Sequence, residues 1–411
     1  MNKYSLNLME SKLFRETGVI RISLLAFVLL HISVFAVAQS KIEEALFNAG
    51  FENVRHISKP GKEILFIENK AFSNNQKAVL AVREEIFLLK NDFESDNIDV
   101  ILMDEKIPVL RMYTTLPEDG TEPQWRSDFM LDEGINEINS YHGESFEYES
   151  AGKVDLNFYP VFRFKNSRLD VMYLLQFNIN PTLEVSLWRG AKATAQIIFP
   201  VVNDYSVEEG KIRPGFLTLS QQFRLPFNVY SMVTVGNFNM FRAGADLKLY
   251  KSLNKKIGVF AQMSYTAYSV PMFDDWLYSD FNTFTWKVGA NYVYKPLKMI
   301  LSASVGKYLG NDISVRGEVT RYFKNSAVGF YVQSMDIPDY PINGGFFFAI
   351  SLPPYKHNRN KFVRVSAGDY FPLEYIARPY TSHGRYFTTS PDENSSYNFF
   401  NRIHLSQLFE N

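Results

Sequence analysis

The sequence predicts a mainly β protein, a transmembrane antiparallel β-barrel of about 12–14 strands preceded by a small α/β domain. Three features predict it. A secretory leader opens the chain, a stretch of mixed helical and extended patterning follows over residues 41–115, and from Val154 onward segments of about ten residues alternate between apolar and polar.

The leader is the sharpest signal. Lys3, Lys12, Arg15 and Arg21 precede the apolar run 22–35, and Ala36-Val37-Ala38 follows it. Small residues at Ala36 and Ala38 fit the cleavage rule, so residues 1–38 read as a signal peptide cut before Gln39. The run is about 15 residues, short of the ~20 that a helix needs to cross a bilayer. No later window reaches the length and apolarity of a membrane helix. That leaves a periplasmic protein or a barrel, which ordinary hydropathy does not detect.

Composition narrows the class. The chain has 411 residues, with 43 Lys+Arg against 44 Asp+Glu, and the net charge of -1 gives nucleic acid no electrostatic footing. No cysteine is present, which removes disulfide, thiol and iron–sulfur chemistry and a lipoprotein anchor. Aromatic content is high, with 36 Phe and 24 Tyr against 4 Trp, as lipid-facing Phe and interfacial Tyr girdles would require.

Residues 39–115 are expected to form the α/β domain, on the periplasmic side. Ile42, Ala45, Leu46 and Ala49 recur at helical spacing and stop at Gly50. Extended runs at 53–58 and 63–68 flank the turn Lys59-Pro60-Gly61-Lys62. Residues 75–90 place Val79, Val82, Ile86 and Leu89 on one helical face, and strands follow at 98–103 and 108–114. The order α-β-β-α-β-β suffices for a two-layer domain. Residues 116–152, rich in Glu, Asp, Gly and Ser, read as a linker.

The barrel is expected over residues 153–411, with a plug or tail near the C-terminus left open. In 313–323, Ile313, Val315, Gly317 and Val319 oppose Ser314, Arg316, Glu318 and Thr320. In 286–294, Trp286, Val288, Ala290, Tyr292 and Tyr294 oppose Lys287, Gly289 and Asn291. In 217–225, Leu217, Leu219, Phe223 and Leu225 oppose Thr218, Ser220, Gln222 and Arg224. Further runs lie at 154–165, 171–179, 182–189, 192–203, 227–238, 241–251, 257–268, 298–308, 326–335, 343–352 and 361–369. Ile403, Leu405 and Phe409 alternate as a last strand would. A sandwich also alternates, but here the polar face keeps Arg, Lys, Glu and Gln at mid-strand, which a hydrated lumen accommodates. Closure also satisfies every backbone group in hydrocarbon.

Several stretches, in order along the chain, carry a resemblance. They are Gly50-Phe51-Glu52-Asn53-Val54, Ile67-Glu68-Asn69 and Lys106-Ile107-Pro108-Val109, then Gln196-Ile197-Ile198-Phe199-Pro200, Ile212-Arg213-Pro214-Gly215 and Leu219-Ser220-Gln221. Gly236-Asn237-Phe238, Arg316-Gly317-Glu318-Val319-Thr320-Arg321-Tyr322-Phe323, Gly329-Phe330-Tyr331, Gly344-Gly345-Phe346 and Leu352-Pro353-Pro354 complete the set. Together they resemble the YjbH-type outer-membrane proteins of exopolysaccharide and capsule gene clusters. None is a catalytic signature, and many relatives are considerably longer. The resemblance implies a non-enzymatic outer-membrane protein that assists secretion or assembly of a surface polysaccharide, as pore or docking platform. Its partners would be outer-membrane lipid, the polysaccharide, and periplasmic export or modifying proteins meeting residues 41–115, with no nucleic acid and no cofactor. A general small-solute porin and a glycan-modifying enzyme are the alternatives.

Candidate residues divide between lumen and loop. Arg224, Lys287, Arg316 and Glu318 share the polar faces of their strands and would contact a hydroxylated or acidic glycan, or cross-link the interior as ion pairs. Asp274, Asp275, Trp276 and Asp280 form an acidic, aromatic loop suited to a divalent cation or a sugar ring, or to plain solvation. His56, His142, His357, His383 and His404 show no zinc spacing, and no catalytic residue or metal site is predicted.

Overall fold

The computed structural model describes residues 41–73, 75–117, 119, 121–128, 148–166, 172–338, 341–354, 356, 362–368, 370–379 and 382–393. The expected signal peptide, His142, His357, His404 and the alternation at Ile403, Leu405 and Phe409 lie outside the described residues. No helix among the described residues is long and apolar enough to cross a membrane, which says nothing about crossing by strands.

The first helix, α1 (Lys41–Ala49), buries Ile42, Leu46 and Ala49 on one side. Gly50 ends it, its backbone N–H bonding the carbonyls of Leu46 and Phe47. A hairpin follows, β1 (Phe51–Lys59) with β2 (Lys62–Asn69), turning where Pro60-Gly61 predicts. Helix α2 (Asn75–Leu88) then crosses over, because β3 (Asn97–Asp104) lies parallel to β2 and a parallel neighbour cannot be reached by a tight turn. Val79, Val82 and Ile86 of α2 are buried with Leu46 of α1 and with Val54, Leu65, Ile67, Val100 and Leu102 of the sheet. β4 (Ile107–Thr115) is antiparallel to β3.

The expected linker needs correction. β5 (Arg126–Asp128) joins the edge of this sheet beyond β4, Trp125 is buried, and Ser150 accepts a hydrogen bond from Asn53 Nδ2 at 2.7 Å. The sheet order is β1-β2-β3-β4-β5. A burial need hidden in a polar-looking stretch, that of Trp125, explains the difference.

The second sheet is built from β6 (Val154–Asn166), β7 (Tyr173–Ser186), β8 (Ala191–Asn203), β9 (Arg213–Leu225), β10 (Val229–Phe238), β11 (Arg242–Ser252) and β12 (Ile257–Val270). It continues with the short β13 (Leu277–Tyr278), then β14 (Thr283–Tyr294), β15 (Met299–Lys307), β16 (Ile313–Tyr322), β17 (Ser326–Met335) and β18 (Ile342–Ser351). Each neighbour in sequence is an antiparallel neighbour in space, apart from β13, which folds back on β12 so that β14 pairs with β12 as well. The runs 171–179 and 182–189, expected as two strands, are one strand through Pro181. Residues 187–190 then make the turn.

The final stretch departs from simple antiparallel order. β19 (Val363–Ala367) runs parallel to β6, from Val363 opposite Val154 to Ala367 opposite Phe158. β20 (Tyr370–Ile376) runs antiparallel to β18. Beside β6, the Tyr375 ring of β20 stacks on Phe164 at 5.7 Å, and its hydroxyl accepts a hydrogen bond from Asn166 Nδ2 at 3.0 Å.

Burial across this sheet is inverted relative to a water-soluble domain. Phe330, Val332 and Val315 are 63%, 58% and 57% exposed, whereas Ser314 and Gln333 are 0% and 2%. The same inversion sets Leu219, Phe223 and Leu225 outside and Thr218, Ser220 and Gln222 inside. On β14, Val288 and Tyr292 are outside and Asn291 inside. The predicted alternation is therefore present, with its apolar side outward.

The α/β domain meets one end of this sheet, which carries the short connections 187–190, 226–228 and 253–256 and also the longer one between β18 and β19. Gly190 N–H donates to the Glu105 carbonyl at 2.7 Å, and Lys70 Nζ reaches Ser186 Oγ at 3.3 Å. Tyr230 of β10 donates to Asp104 at 3.3 Å, and Tyr230, Met232, Tyr250 and Phe260 join the domain's apolar core. Arg364 of β19 bonds Glu52 Oε2 at 2.7 Å and Asp155 Oδ2 at 2.7 Å, while Lys153 holds the other Glu52 oxygen at 3.0 Å.

Candidate functional site

The polar face of the large sheet carries the candidate site. Its strands alternate, so each contributes every second side chain inward: Asp246 and Lys248 from β11, Gln262 and Ser264 from β12, Thr285 and Lys287 from β14, Arg316 and Glu318 from β16. After β20 the chain turns back, and residues 382–393 lie along this face. A plug or a tail near the C-terminus was left open by the sequence. The described part of the C-terminal region touches inward side chains of several strands.

At its start, the Gly384 N–H donates to both oxygens of Asp312, at 3.1 and 3.0 Å, and Leu309 N–H donates to the Arg385 carbonyl at 3.1 Å. The Tyr386 hydroxyl lies 2.9 Å from Ser264 Oγ and accepts from Thr285 Oγ1 at 3.3 Å. Phe387 stacks on Phe238 of β10 at 5.1 Å, the ring planes 2° apart. Asn239 and Thr388 exchange two hydrogen bonds of 2.8 Å each. Lys248 Nζ donates to Thr389 Oγ1 at 2.8 Å and is paired with the Glu393 carboxylate. A buried ammonium needs such a partner, because its desolvation is otherwise uncompensated.

The predicted lumen residues fall into two places. Arg316 and Glu318 form an ion pair of 2.9 Å along one strand face, with the guanidinium 3.6 Å above the Tyr331 ring. Lys287, two strands away on β14, sits over the rings of Phe260 at 5.8 Å and Tyr386 at 5.1 Å. Arg224 is apart from them on β9, near the short-turn end, 5.9 Å above the Tyr230 ring. Lys248, Asp246, Tyr386 and Glu393 were not among the candidates drawn from the sequence. Asp246 and Lys248 were legible as a polar pair on alternating β11, but their partners on 386–393 come from a segment without periodicity.

The loop carboxylates are not gathered into a ligand set. Asp274, Asp275 and Asp280 are exposed, and Trp276 uses its indole N–H on Ser269 Oγ at 2.9 Å. Among the described residues, the one carboxylate trio close enough to share a cation is Glu68, Asp104 and Glu105, at the junction of the two sheets. An ammonium already serves there: Lys70 Nζ lies 2.9 Å from Glu68 and 2.7 Å from Glu105. Burial alone would lower its pKa, but Glu105 and Glu68 hold it well above the ordinary lysine value. Glu68 also accepts from Asn53 Nδ2 at 2.6 Å and from the N–H groups of Glu105 and Lys106 at 3.0 Å. The trio is a structural knot.

His56 stands on β1, within the expected extended run 53–58, with Nε2 2.7 Å from the buried Glu63, which also accepts the N–H groups of Glu94 and Ser95.

Fold and face together define a two-part, mainly β protein whose larger sheet exposes rows of apolar side chains and buries polar ones. In comparisons with known proteins, the chain matches no family model, no curated sequence and no solved structure.

Proposed function

We propose that the large sheet closes into a β-barrel in the outer membrane of a Gram-negative bacterium, reached by way of a cleaved signal peptide. The protein would assist, without catalysis of its own, the secretion or assembly of exopolysaccharide or capsule. The observation that carries the membrane reading is the inversion of burial: rows of Val, Leu, Ile and Phe point outward while Ser, Thr, Asn, Gln and charged groups are enclosed. Water would penalise the first and leave the second without purpose; lipid outside and a polar lumen inside suit both. The contact of Tyr375 with Phe164 and Asn166 supports closure beside β6.

Orientation follows from the connections. Outer-membrane barrels keep short turns on the periplasmic side and longer loops outside. The α/β domain docks at the short-turn end, so it would face the periplasm, where residues 41–115 could meet export or modifying proteins. The loops at 204–212 and 271–282, the latter with Asp274, Asp275, Trp276 and Asp280, would face the exterior.

The polysaccharide reading is supported by the ordered likeness to YjbH-type stretches and by the lumen groups Arg224, Lys287, Arg316 and Glu318. A clean deletion strain tests it. Polymer retained in the periplasm, and returned to the surface by the wild-type gene, is the expected result. Unchanged polymer in both fractions would overturn the export role and move the assignment to a porin, for which steady conductance in planar bilayers is the direct measurement.

A further inference from the structure

Residues 382–393 present to the polar face a particular set of groups: one carboxylate on Lys248, two threonine hydroxyls, and a tyrosine hydroxyl between Ser264 and Thr285. That is the contact set of an acidic, hydroxyl-rich ligand. On the sheet itself Lys248 has Asp246, whose Oδ2 is 4.0 Å from the ammonium and whose Oδ1 accepts from Gln262 and Ser264. The carboxylate in direct contact with Lys248 is that of Glu393, which comes from the crossing segment and not from the wall.

Apart from the bond of Leu309 N–H to the Arg385 carbonyl, the anchors of the segment named here all involve side chains. It has no strand or helix within 382–393, and its anchors are Asp312, Tyr386, Phe387, Thr388 and the Lys248–Glu393 pair. Individually such anchors are exchangeable, whereas a ladder of backbone bonds would release only as a unit.

We infer that residues 382–393 are a resident occupant of an anion-binding path centred on Lys248 and Lys287, and that displacing them opens this path to an acidic polyhydroxylated chain such as a uronate-containing glycan. The ligand class rests on the polysaccharide reading above. Lys248 would take the carboxylate now replaced by Glu393, Ser264 and Thr285 the hydroxyl now supplied by Tyr386, and Phe238 the flat face now covered by Phe387.

The test uses the full chain folded in lipid vesicles, with oligogalacturonate as acidic probe and a maltooligosaccharide of equal length as neutral one. Glu393→Gln should bind oligogalacturonate about tenfold or more tightly than wild type, since the lost charge-assisted bond no longer competes. Binding of the neutral probe should not change, and Lys248→Gln added to Glu393→Gln should abolish the gain. Thr389→Cys should react faster with a maleimide reagent when combined with Glu393→Gln than when alone. Faster labelling with no gain in acidic binding overturns the ligand class. Labelling at the wild-type rate overturns the resident-occupant role. Tyr386→Phe, which frees the segment from Ser264 and Thr285, should give the same pattern and serves if Glu393→Gln does not fold. The gain in binding is read on purified protein, so it stands or falls independently of polymer location in the deletion strain.

Discussion

Placing a charge on the outward face separates lipid from water. Phe330 is the fifth of ten residues in β17 and is 63% exposed. A ten-residue strand spans about 34 Å along its own axis, and about 24 Å along the membrane normal at the ~45° tilt of barrel strands. In the proposed barrel Phe330 would then lie within a few ångström of the bilayer midplane. Phe330→Arg measured against Phe330→Ala isolates the charge from the loss of the ring. At the midplane the arginine should cost about 2–4 kcal/mol more than alanine. That is roughly a 30- to 900-fold shift in the folding equilibrium. On a water-exposed surface the same exchange would fall within about 0.5 kcal/mol. Denaturant titration of both variants in lipid vesicles, followed by tryptophan fluorescence, gives the difference. A pair within 0.5 kcal/mol would refute the lipid-facing assignment of this side of the sheet.

Other outcomes follow from named contacts. Arg364→Ala removes the cation shared by Asp155 and the buried Glu52, whose other oxygen is bonded by Lys153. A loss of about 3 kcal/mol is expected, seen as a lower denaturant midpoint and faster proteolytic release of the α/β domain. Lys70→Met should cost a similar amount, about 3 kcal/mol, because Glu68 and Glu105 lose their common partner; Lys70→Arg should recover part of it. The folded pKa of Lys70 is raised, so its contribution is complete below the unfolded value of about 10.4 and fades only as pH rises through the higher folded value. Wild-type and Lys70→Met midpoints should therefore keep a constant gap between about pH 6 and pH 9. Gly190→Ala should cost about 1–3 kcal/mol, since Gly190 has φ +81° and an added Cβ would come within 2.3 Å of the Gln222 carbonyl. Urea titration of that variant reads the loss directly.

Much of the α/β domain was legible because its periodicities are local. Val79, Val82 and Ile86 recur at the spacing of one helical face, and all three are buried; Gly50 and Pro60-Gly61 stop and turn the chain where their backbone preferences require. Boundaries shifted by a residue or two, and α2 ends at Leu88 before a tighter turn at Lys90–Asp92. The missed strand β5 has only three residues, too short for any alternation to show. The break expected near 180 failed because Pro181 was tolerated within a strand, as proline can be where its missing donor is not needed. Among the lumen candidates, the Arg316–Glu318 pair was readable from the two-residue spacing alone. The place of Lys248 was not, since Glu393 and Thr389 lie more than a hundred residues downstream.

The sequence by itself determined which side chains share a face. Period two in a strand and 3.6 in a helix are set by backbone geometry, and they need no knowledge of neighbours. Which of the two faces looks outward was only an expectation, drawn from the Arg, Lys, Glu and Gln held at mid-strand. That choice depends on what surrounds the sheet, and only the tertiary arrangement put the apolar rows outside and the polar rows within. The same holds for residues 382–393. They carry no repeating pattern, so nothing local binds them to a conformation. Their position is decided by Asp312, Lys248 and Ser264, groups that become neighbours only after their strands have paired.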